Sequence, residues 1–459
     1  MKRLMSTALA AFALFYLAGI AAAPETPSKP DARPAVSTAA APAAAARHFD
    51  ADEATREWLN TLSPEARAKS DAYFEGGYWL ILWDFVVGLA VAGLLLGTGL
   101  SRRLRDFNEK LIKLRFLQTA LYVAEYILFT TVVMLPWTIY EGYVREHRYG
   151  MSNQDLGAFL GDQAKSLLLG LIFGTIVLTV IYAVIRKAPR TWWLWGSLVG
   201  VVFIVFGVLI GPTYLEPVFN KFYPLADGPQ KQQILSMARA NGIPATDVYE
   251  FDASKQTKRM SAHVSGLAGT TQISLNDNLI NRGSPEEVQA VLGHEMGHYV
   301  LNHVFHGIVE FSLLIVVGFA FLKWSFEKLR VRYGQRWGIR DVGDVAGLPL
   351  LVALYSVYGF ATTPLNNTLT RTQEAEADAF GMNAARQPDG FAQAAIHLSE
   401  YRKMEPGKWE EIFFYDHPSG YHRIHRAMVW KAEHLTDADI AAYDAAHPII
   451  AMPPEPAQK

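Results

Sequence analysis

The sequence predicts a mostly α-helical protein that crosses a membrane several times. Six long apolar runs occur between residues 78 and 363, and each has close to the roughly twenty residues that a helix needs to cross a bilayer. Apolar residues make up 51% of the 459 residues and charged residues only 19%, against about a quarter in soluble domains. One such run could be a buried core helix, but six of them are not expected in a soluble protein.

The first 23 residues begin with basic side chains, continue with an apolar run and end in small residues. This pattern predicts a secretory signal peptide cut near Ala23, or an uncleaved signal anchor. A first transmembrane helix of the folded protein is the alternative. Residues 24–76 follow as an Ala- and Pro-rich tether, up to residue 48, and then as short amphipathic helices.

The apolar runs divide into a group of four and a later pair. The first four predict an N-terminal transmembrane domain over residues 77–213, and the pair falls within a second domain, residues 214–450. Trp and Tyr residues cluster at several ends of the runs, as is typical of the membrane–water interface. The six predicted spans are approximately 78–98, 117–137, 166–185, 193–213, 304–322 and 346–363.

A polar segment separates the fourth span from the fifth. Its composition predicts helices over Lys231–Asn241 and Pro285–Asn302. Alternating apolar and polar residues near Val264–Leu275 predict a β-ribbon. The chain after the sixth span is expected to be helical between its Pro and Gly breaks.

Net charge and cysteine content exclude several kinds of site. With a net charge of −2, the chain lacks the basic excess of nucleic-acid-binding proteins, so no nucleic-acid partner is expected. The absence of cysteine excludes disulfides, thiolate metal sites and a cysteine nucleophile. Any bound metal must therefore be held by His, Asp or Glu.

The segment VLGHEMGHYVLNH contains the pattern H-E-x-x-H. His294 and His298 are four residues apart, so on a helix both rings face one side and can bind one metal ion. Glu295 follows the first histidine and can act as general base on a water at that metal. The alternative is a surface helix with two solvated histidines, but the apolar residues before the motif indicate a half-buried helix.

A third ligand must come from elsewhere in the chain. The metzincin continuation is excluded, because Leu301 and Val304 stand where that class requires Gly and His. The helix-forming segment TRTQEAEADAF follows the sixth span. Its Glu374 and Asp378 share one face, so one could bind the metal and the other orient a histidine, whereas Glu376 points elsewhere. An acidic solvated face is the alternative.

Together these segments resemble the type I CAAX prenyl endopeptidase family of zinc metalloproteases. The similarity includes VLGHEMGH, RTQEAEAD, the tripeptide His417-Pro418-Ser419 with Arg423 beyond it, PVFNKFYPL after the fourth span and LPWTIYEGYVREHRYG after the second. It extends from about residue 65 to about residue 430. The resemblance implies membrane helices that enclose a chamber, a zincin-like catalytic part and endopeptidase activity.

The resemblance also implies roles for the motif residues. His294, His298 and Glu374 would bind one zinc ion, with Glu295 as the general base. Asp378 would be the outer carboxylate that pairs with the metal-binding helix.

Two later residues and one strand are implied by the same resemblance. His417 and Arg423 match positions that stabilise the oxyanion and the site around it, where a well-placed donor contributes several kcal/mol. Substrate would add as a strand to the β-ribbon at Ser261, Ala262, His263 and Val264. The family has an Asn-Ala pair there, so contacts of that Asn side chain are not expected in this chain.

Four ionisable residues fall inside the apolar runs, and such groups line watery interiors or pair with one another. The implied chamber would accommodate all four without pairing; a structural pair is the alternative. His303 lies near the metal helix but off the ligand spacing, so we expect it and His306 to be structural. The four residues are Asp84, Glu125, His306 and Glu310.

Basic loops predict the orientation in the membrane. Loops 101–116 and 323–345 each carry six Lys or Arg, and loop 186–192 carries three. Such residues concentrate on the cytoplasmic side. The segments that bear the zinc ligands would then face the periplasm, against the orientation of the family's eukaryotic members, in which the protease domain faces the cytosol.

The expected partners are a lipid bilayer and a peptide or protein substrate. The resemblance implies cleavage near the end of a prenylated C-a-a-X peptide. The signal sequence, however, indicates a bacterial inner-membrane protein, for which general turnover of membrane-associated polypeptides is the alternative. A transporter with an incidental H-E-x-x-H is disfavoured because the chain shows no paired halves. An inactive scaffold is disfavoured because it has no need of Glu295.

Overall fold

The computed structural model describes residues 49–266, 271–446 and 449. The signal peptide or anchor and the tether expected before residue 49 lie outside this part of the chain. The described residues confirm the mostly helical class, with six helices long and apolar enough to cross a membrane. These are Pro64–Gly97 (α2), Arg115–Arg148 (α4), Leu156–Lys187 (α5), Trp192–Phe219 (α6), His303–Trp337 (α10) and Val345–Ala385, whose α-helical part is Leu348–Ala385 (α11).

The first span begins earlier than its apolar run. Ser63 caps its N-terminus and Pro64 occupies the first turn. The N-terminal part of α2, which precedes the apolar run, packs on the C-terminal part of the chain. There Ser70 Oγ donates to Arg402 O at 3.0 Å. The segment expected to form short amphipathic helices therefore contains only one, Ala51–Asn60 (α1), before this long helix starts.

The expected ribbon is half of a four-stranded sheet. The strands are Phe222–Pro224 (β1), Val248–Phe251 (β2), Ala262–Ser265 (β3) and Gln272–Asn276 (β4). Their order is β1-β2-β4-β3, with β2 and β4 parallel and the other pairs antiparallel. Within the described part of the chain, strand β3 therefore lies at one edge of the sheet and has a neighbouring strand on one side only.

Shorter helices form most of the segments outside the six spans. The helix that carries the H-E-x-x-H pattern is Pro285–Val300 (α9), close to its expected bounds. The remaining helices are Leu100–Leu111 (α3), Pro229–Ala240 (α7), Asp277–Arg282 (α8), Pro388–Leu398 (α12), Lys408–Phe414 (α13), Gly420–His434 (α14) and Asp437–Ala446 (α15).

Helices α9 and α11 approach so closely that glycine is required at the contact. A Cβ placed on Gly293 would lie 2.8 Å from the carbonyl oxygen of Gly381, and one on Gly297 would lie 3.1 Å from Ala377. No side chain fits between the two backbones at these points. This contact brings the acidic residues of α11 beside the histidines of α9.

The three basic loops meet at one end of the helix bundle. Arg105 Nη1 donates to the carbonyl of Gly338 at 2.9 Å, and Arg186 Nε donates to that of Gly343, also at 2.9 Å. The first and second basic loops are thus both bonded to the third.

The three acids within the spans each accept a hydrogen bond from a neutral side chain rather than pairing with one another. Each donor is neutral, so the acid is stabilised by a polar contact rather than by an ion pair. Asp84 accepts from Trp137 Nε1 at 2.5 Å, Glu125 from Asn108 Nδ2 at 2.7 Å and Glu310 from Gln373 Nε2 at 2.8 Å.

Candidate metal centre

Helix α9 begins with a strong N-terminal signal. Ser284 accepts a hydrogen bond from the backbone of Glu287, whose side chain returns one to Ser284, and Pro285 fills the first position. This capping box fixes where the helix starts. The register that follows places His294 and His298 one turn apart on the face turned toward α11.

The two histidines meet a single carboxylate from α11. His294 Nε2 and His298 Nε2 are 3.1 Å apart, and they lie 3.2 and 3.4 Å from the two oxygens of Glu374. The sequence placed Glu374 and Glu376 only two residues apart, and the structure brings Glu374 to the histidines. Glu376 contacts His303 instead.

These distances fit a tetrahedral zinc ion. Zinc binds imidazole nitrogen and carboxylate oxygen at about 2.0–2.2 Å, so two donors on a tetrahedron lie about 3.4 Å apart. The three observed separations, 3.1 to 3.4 Å, are close to that value. Three protein donors leave one position open, as in catalytic zinc sites.

The electrostatics of the site also favour a cation. Burial lowers the pKa of His294, but the carboxylates of Asp378 and Glu374 outweigh burial and raise that pKa to about 9. Asp378 Oδ1 lies 2.8 Å from His294 Nδ1, on the far side of the ring from Glu374. A proton or a metal ion is therefore stabilised on this ring.

Arg423 contacts the carboxylates of both Asp378 and Glu374. Its Nε donates to Asp378 Oδ2 at 3.0 Å, and its Nη2 lies 3.3 Å from Glu374 Oε2. Both acids are almost fully buried, Asp378 completely so. The guanidinium offsets the cost of burying two like charges side by side.

A cleft of about 260 Å³ opens beside the three donors. Glu295 lines it, and burial raises the pKa of that carboxyl. Ser261 and Ala262 line the same cleft at the start of β3. His263 does not: its Nε2 lies 3.4 Å from Glu216 Oε2. Val264 packs against the core beneath the sheet.

His417 reaches the centre from a loop before α14. Its Nε2 lies 3.2 Å from Glu374 Oε2, and its Nδ1 lies 2.7 Å from Asp416 Oδ1. Burial lowers the pKa of His417. No sequence pattern singles out Asp416, although it directly precedes His417.

A second cavity, of about 590 Å³, lies between spans α6, α10 and α11. Its walls are mainly apolar, with Ile204, Phe311 and Tyr358 among them, and His298 and His303 line it as well. A space within the membrane part thus reaches a candidate metal ligand.

Comparisons with known proteins agree with this geometry. Residues 46–221 match the family model described as CAAX prenyl protease N-terminal, five membrane helices, and residues 224–431 match that of peptidase family M48. The metalloprotease YhfN of Bacillus subtilis is 32% identical over 72% of this chain and 78% of its own length. CAAX prenyl protease 1 of Saccharomyces cerevisiae is 34% identical over 68% and 69%. The crystal structure of S. mikatae Ste24p has the same fold, with a TM-score of 0.68 over 82% of this chain and 94% of that one, at 22% identity.

Proposed function

The chain belongs to peptidase family M48, and we propose that this integral membrane metalloendopeptidase holds one zinc ion on His294, His298 and Glu374. The observation that carries the proposal is the convergence of these three donors at tetrahedral spacing, beside a cleft that His294 and Glu295 both line. Bound zinc supplies a Lewis acid for the peptide carbonyl and increases the acidity of water.

The chain's own residues supply the remaining chemistry. Glu295 accepts a proton from the attacking water, which suits a half-buried carboxylate whose pKa is raised. His417 faces the same place with Nε2; when that nitrogen carries a proton it donates to the developing oxyanion, and the contact of Asp416 with Nδ1 holds the ring in place. The contacts of Arg423 with Asp378 and Glu374 support a positioning role. We therefore revise its expected place among the catalytic residues, because its guanidinium binds the two acids.

Substrate is proposed to bind as an added strand on β3. Among the described strands β3 has one unpaired edge, and its first residue, Ala262, borders the cleft together with the preceding Ser261. An extended peptide paired with this edge would pass the three donors. Because the side chains of His263 and Val264 do not line the cleft, we propose that they contribute backbone contacts alone.

The substrate class is proposed to be membrane-associated polypeptides, prenylated or not. Several relatives are named CAAX prenyl protease, and the apolar cavity beside His298 has room for a hydrocarbon group. Turnover of damaged or membrane-stalled polypeptides is the second candidate, favoured by the signal-like N-terminus.

We place the protein in a bacterial inner membrane with the metal centre on the periplasmic side. The shared end of the three basic loops supports a single cytoplasmic face for them. The proposed division is a four-span domain up to residue 213 and a peptidase domain, 214–450, that includes the last two spans.

Metal analysis and substrate trapping test the proposal. The detergent-purified protein should contain one zinc per chain, and protein with no bound zinc would contradict the assignment. Glu295→Gln protein should retain uncut polypeptides, which mass spectrometry can identify. Two peptides that differ only in a prenyl group then separate the substrate classes: equal cleavage favours general turnover.

A further inference from the structure

The chain turns sharply just after the metal-binding helix. Helix α9 ends at Val300 and α10 begins at His303, with Asn302 between them at φ 56°. Among the described residues, Asn302 is one of two non-glycine residues in the left-handed region. Such strain persists where the surrounding structure requires it. The turn ends the four-residue spacing of α9 and sends the His303 side chain back toward His298.

His303 joins His298 to a carboxylate. His303 Nδ1 lies 3.0 Å from His298 Nδ1, and His303 Nε2 lies 3.1 Å from Glu376 Oε2. His303 is only 3% exposed. Water therefore has little access to the His303 ring itself.

The proton positions follow from the chemistry of imidazole. A metal-bound His298 Nε2 presents a lone pair, so the proton of the neutral ring is on Nδ1. That N–H can donate only to an unprotonated His303 Nδ1. The remaining proton of His303 is then on Nε2, from which it donates to Glu376. One tautomer of each ring satisfies every contact.

We propose that His303 is a positioning residue for the metal centre, which with Glu376 fixes the tautomer and ring orientation of His298. The inference rests on the proposed zinc site. Asp378 contacts His294 directly. Glu376, in contrast, is connected to His298 through the ring of His303. Both imidazole ligands thus have their outer nitrogen engaged, an arrangement that raises metal affinity.

Four variants test this relay of contacts from Glu376 through His303 to His298. His303→Leu removes both contacts and should lower zinc affinity about 10- to 100-fold, measured by competition with a chelator on detergent-purified protein. His303→Asn places an amide oxygen near the position of Nδ1, so most of the affinity should return. Glu376→Leu removes only the outer acceptor and should give a smaller loss. His306→Leu is the matched control, because this neighbouring ring of α10 makes no hydrogen bond to His298 among the described contacts.

The outcomes separate the relay from the zinc site itself. If wild-type protein binds no zinc, the proposed function fails. If it binds zinc and folded His303→Leu binds equally tightly, only the relay is wrong. Equal losses in His303→Leu and His303→Asn, or a comparable loss in His306→Leu, would also overturn it. If His303→Leu does not fold, Glu376→Leu decides, since that side chain is 57% exposed and dispensable for packing.

Discussion

Gly381 lies against the backbone of His294: a Cβ added to Gly381 would fall 2.6 Å from the His294 amide nitrogen. Gly381→Ala must therefore push α11 away from α9. We expect this overpacking to cost about 1–3 kcal/mol of stability and to lower zinc affinity, because Glu374 moves with the helix. Thermal unfolding and chelator competition measure the two effects.

Gly359→Ala is the control for that prediction. Gly359 is on the same helix, and a Cβ there meets nothing within 4 Å. Alanine should leave zinc affinity unchanged and stability the same or slightly higher. If both variants bind zinc as wild type does, close approach of the two helices is not needed for the site.

Removing any of the three donors should remove the metal. His294→Ala, His298→Ala and Glu374→Ala should each lose zinc and activity together, because two protein donors hold zinc far less tightly than three. Glu376→Ala should keep most of its zinc. The third ligand is wrongly assigned if metal analysis finds Glu374→Ala fully loaded and Glu376→Ala empty.

Glu295→Gln should separate catalysis from metal binding. The amide keeps the size of the carboxylate but cannot accept the proton, so the rate should fall at least the roughly hundredfold typical of losing a general base. Zinc content should remain at one per chain. Either a full rate or an empty site in this variant would contradict the role.

His417→Ala should reduce kcat while leaving KM and zinc content nearly unchanged. A group that stabilises the oxyanion acts chiefly in the transition state, so substrate binding is largely spared. His422→Ala, a more exposed histidine paired with Glu411, is the control and should keep its rate. A large KM effect with normal kcat would make His417 a ground-state binding residue.

The orientation in the membrane can be read from C-terminal fusions. With the basic loops in the cytoplasm, alkaline phosphatase fused after Lys459 should be active in a bacterial host. Green fluorescent protein at the same position should remain dark, because it does not fold when exported unfolded. The reverse pair of results would put the metal centre in the cytoplasm.

Regular spacing within one helix made the metal site predictable. His294 and His298, and likewise Glu374 and Asp378, are four residues apart, so their shared faces follow from helix geometry. That the two faces meet depends on small residues at the contact of α9 and α11. The resemblance supplied that pairing, since spacing alone left an acidic solvated face open.

The residues that were missed depend on breaks in regular structure. His303 lies off the four-residue ligand spacing and is therefore expected to be structural; the turn at Asn302, which the spacing does not predict, directs its ring toward His298. Strands β1 and β2 have only three and four residues. Such short strands form by pairing with distant segments, and alternation within them gives too weak a signal.

Helix α11 runs without interruption from the bilayer to Glu374 and Asp378. The sixth membrane span and the ligand Glu374 therefore belong to one continuous helix. A cut that frees Glu374 and Asp378 from the bilayer must break this helix, so shedding would disrupt the element that builds the centre. The activity is thereby confined to a membrane surface, where the proposed membrane-associated substrate would meet the enzyme by diffusion in two dimensions.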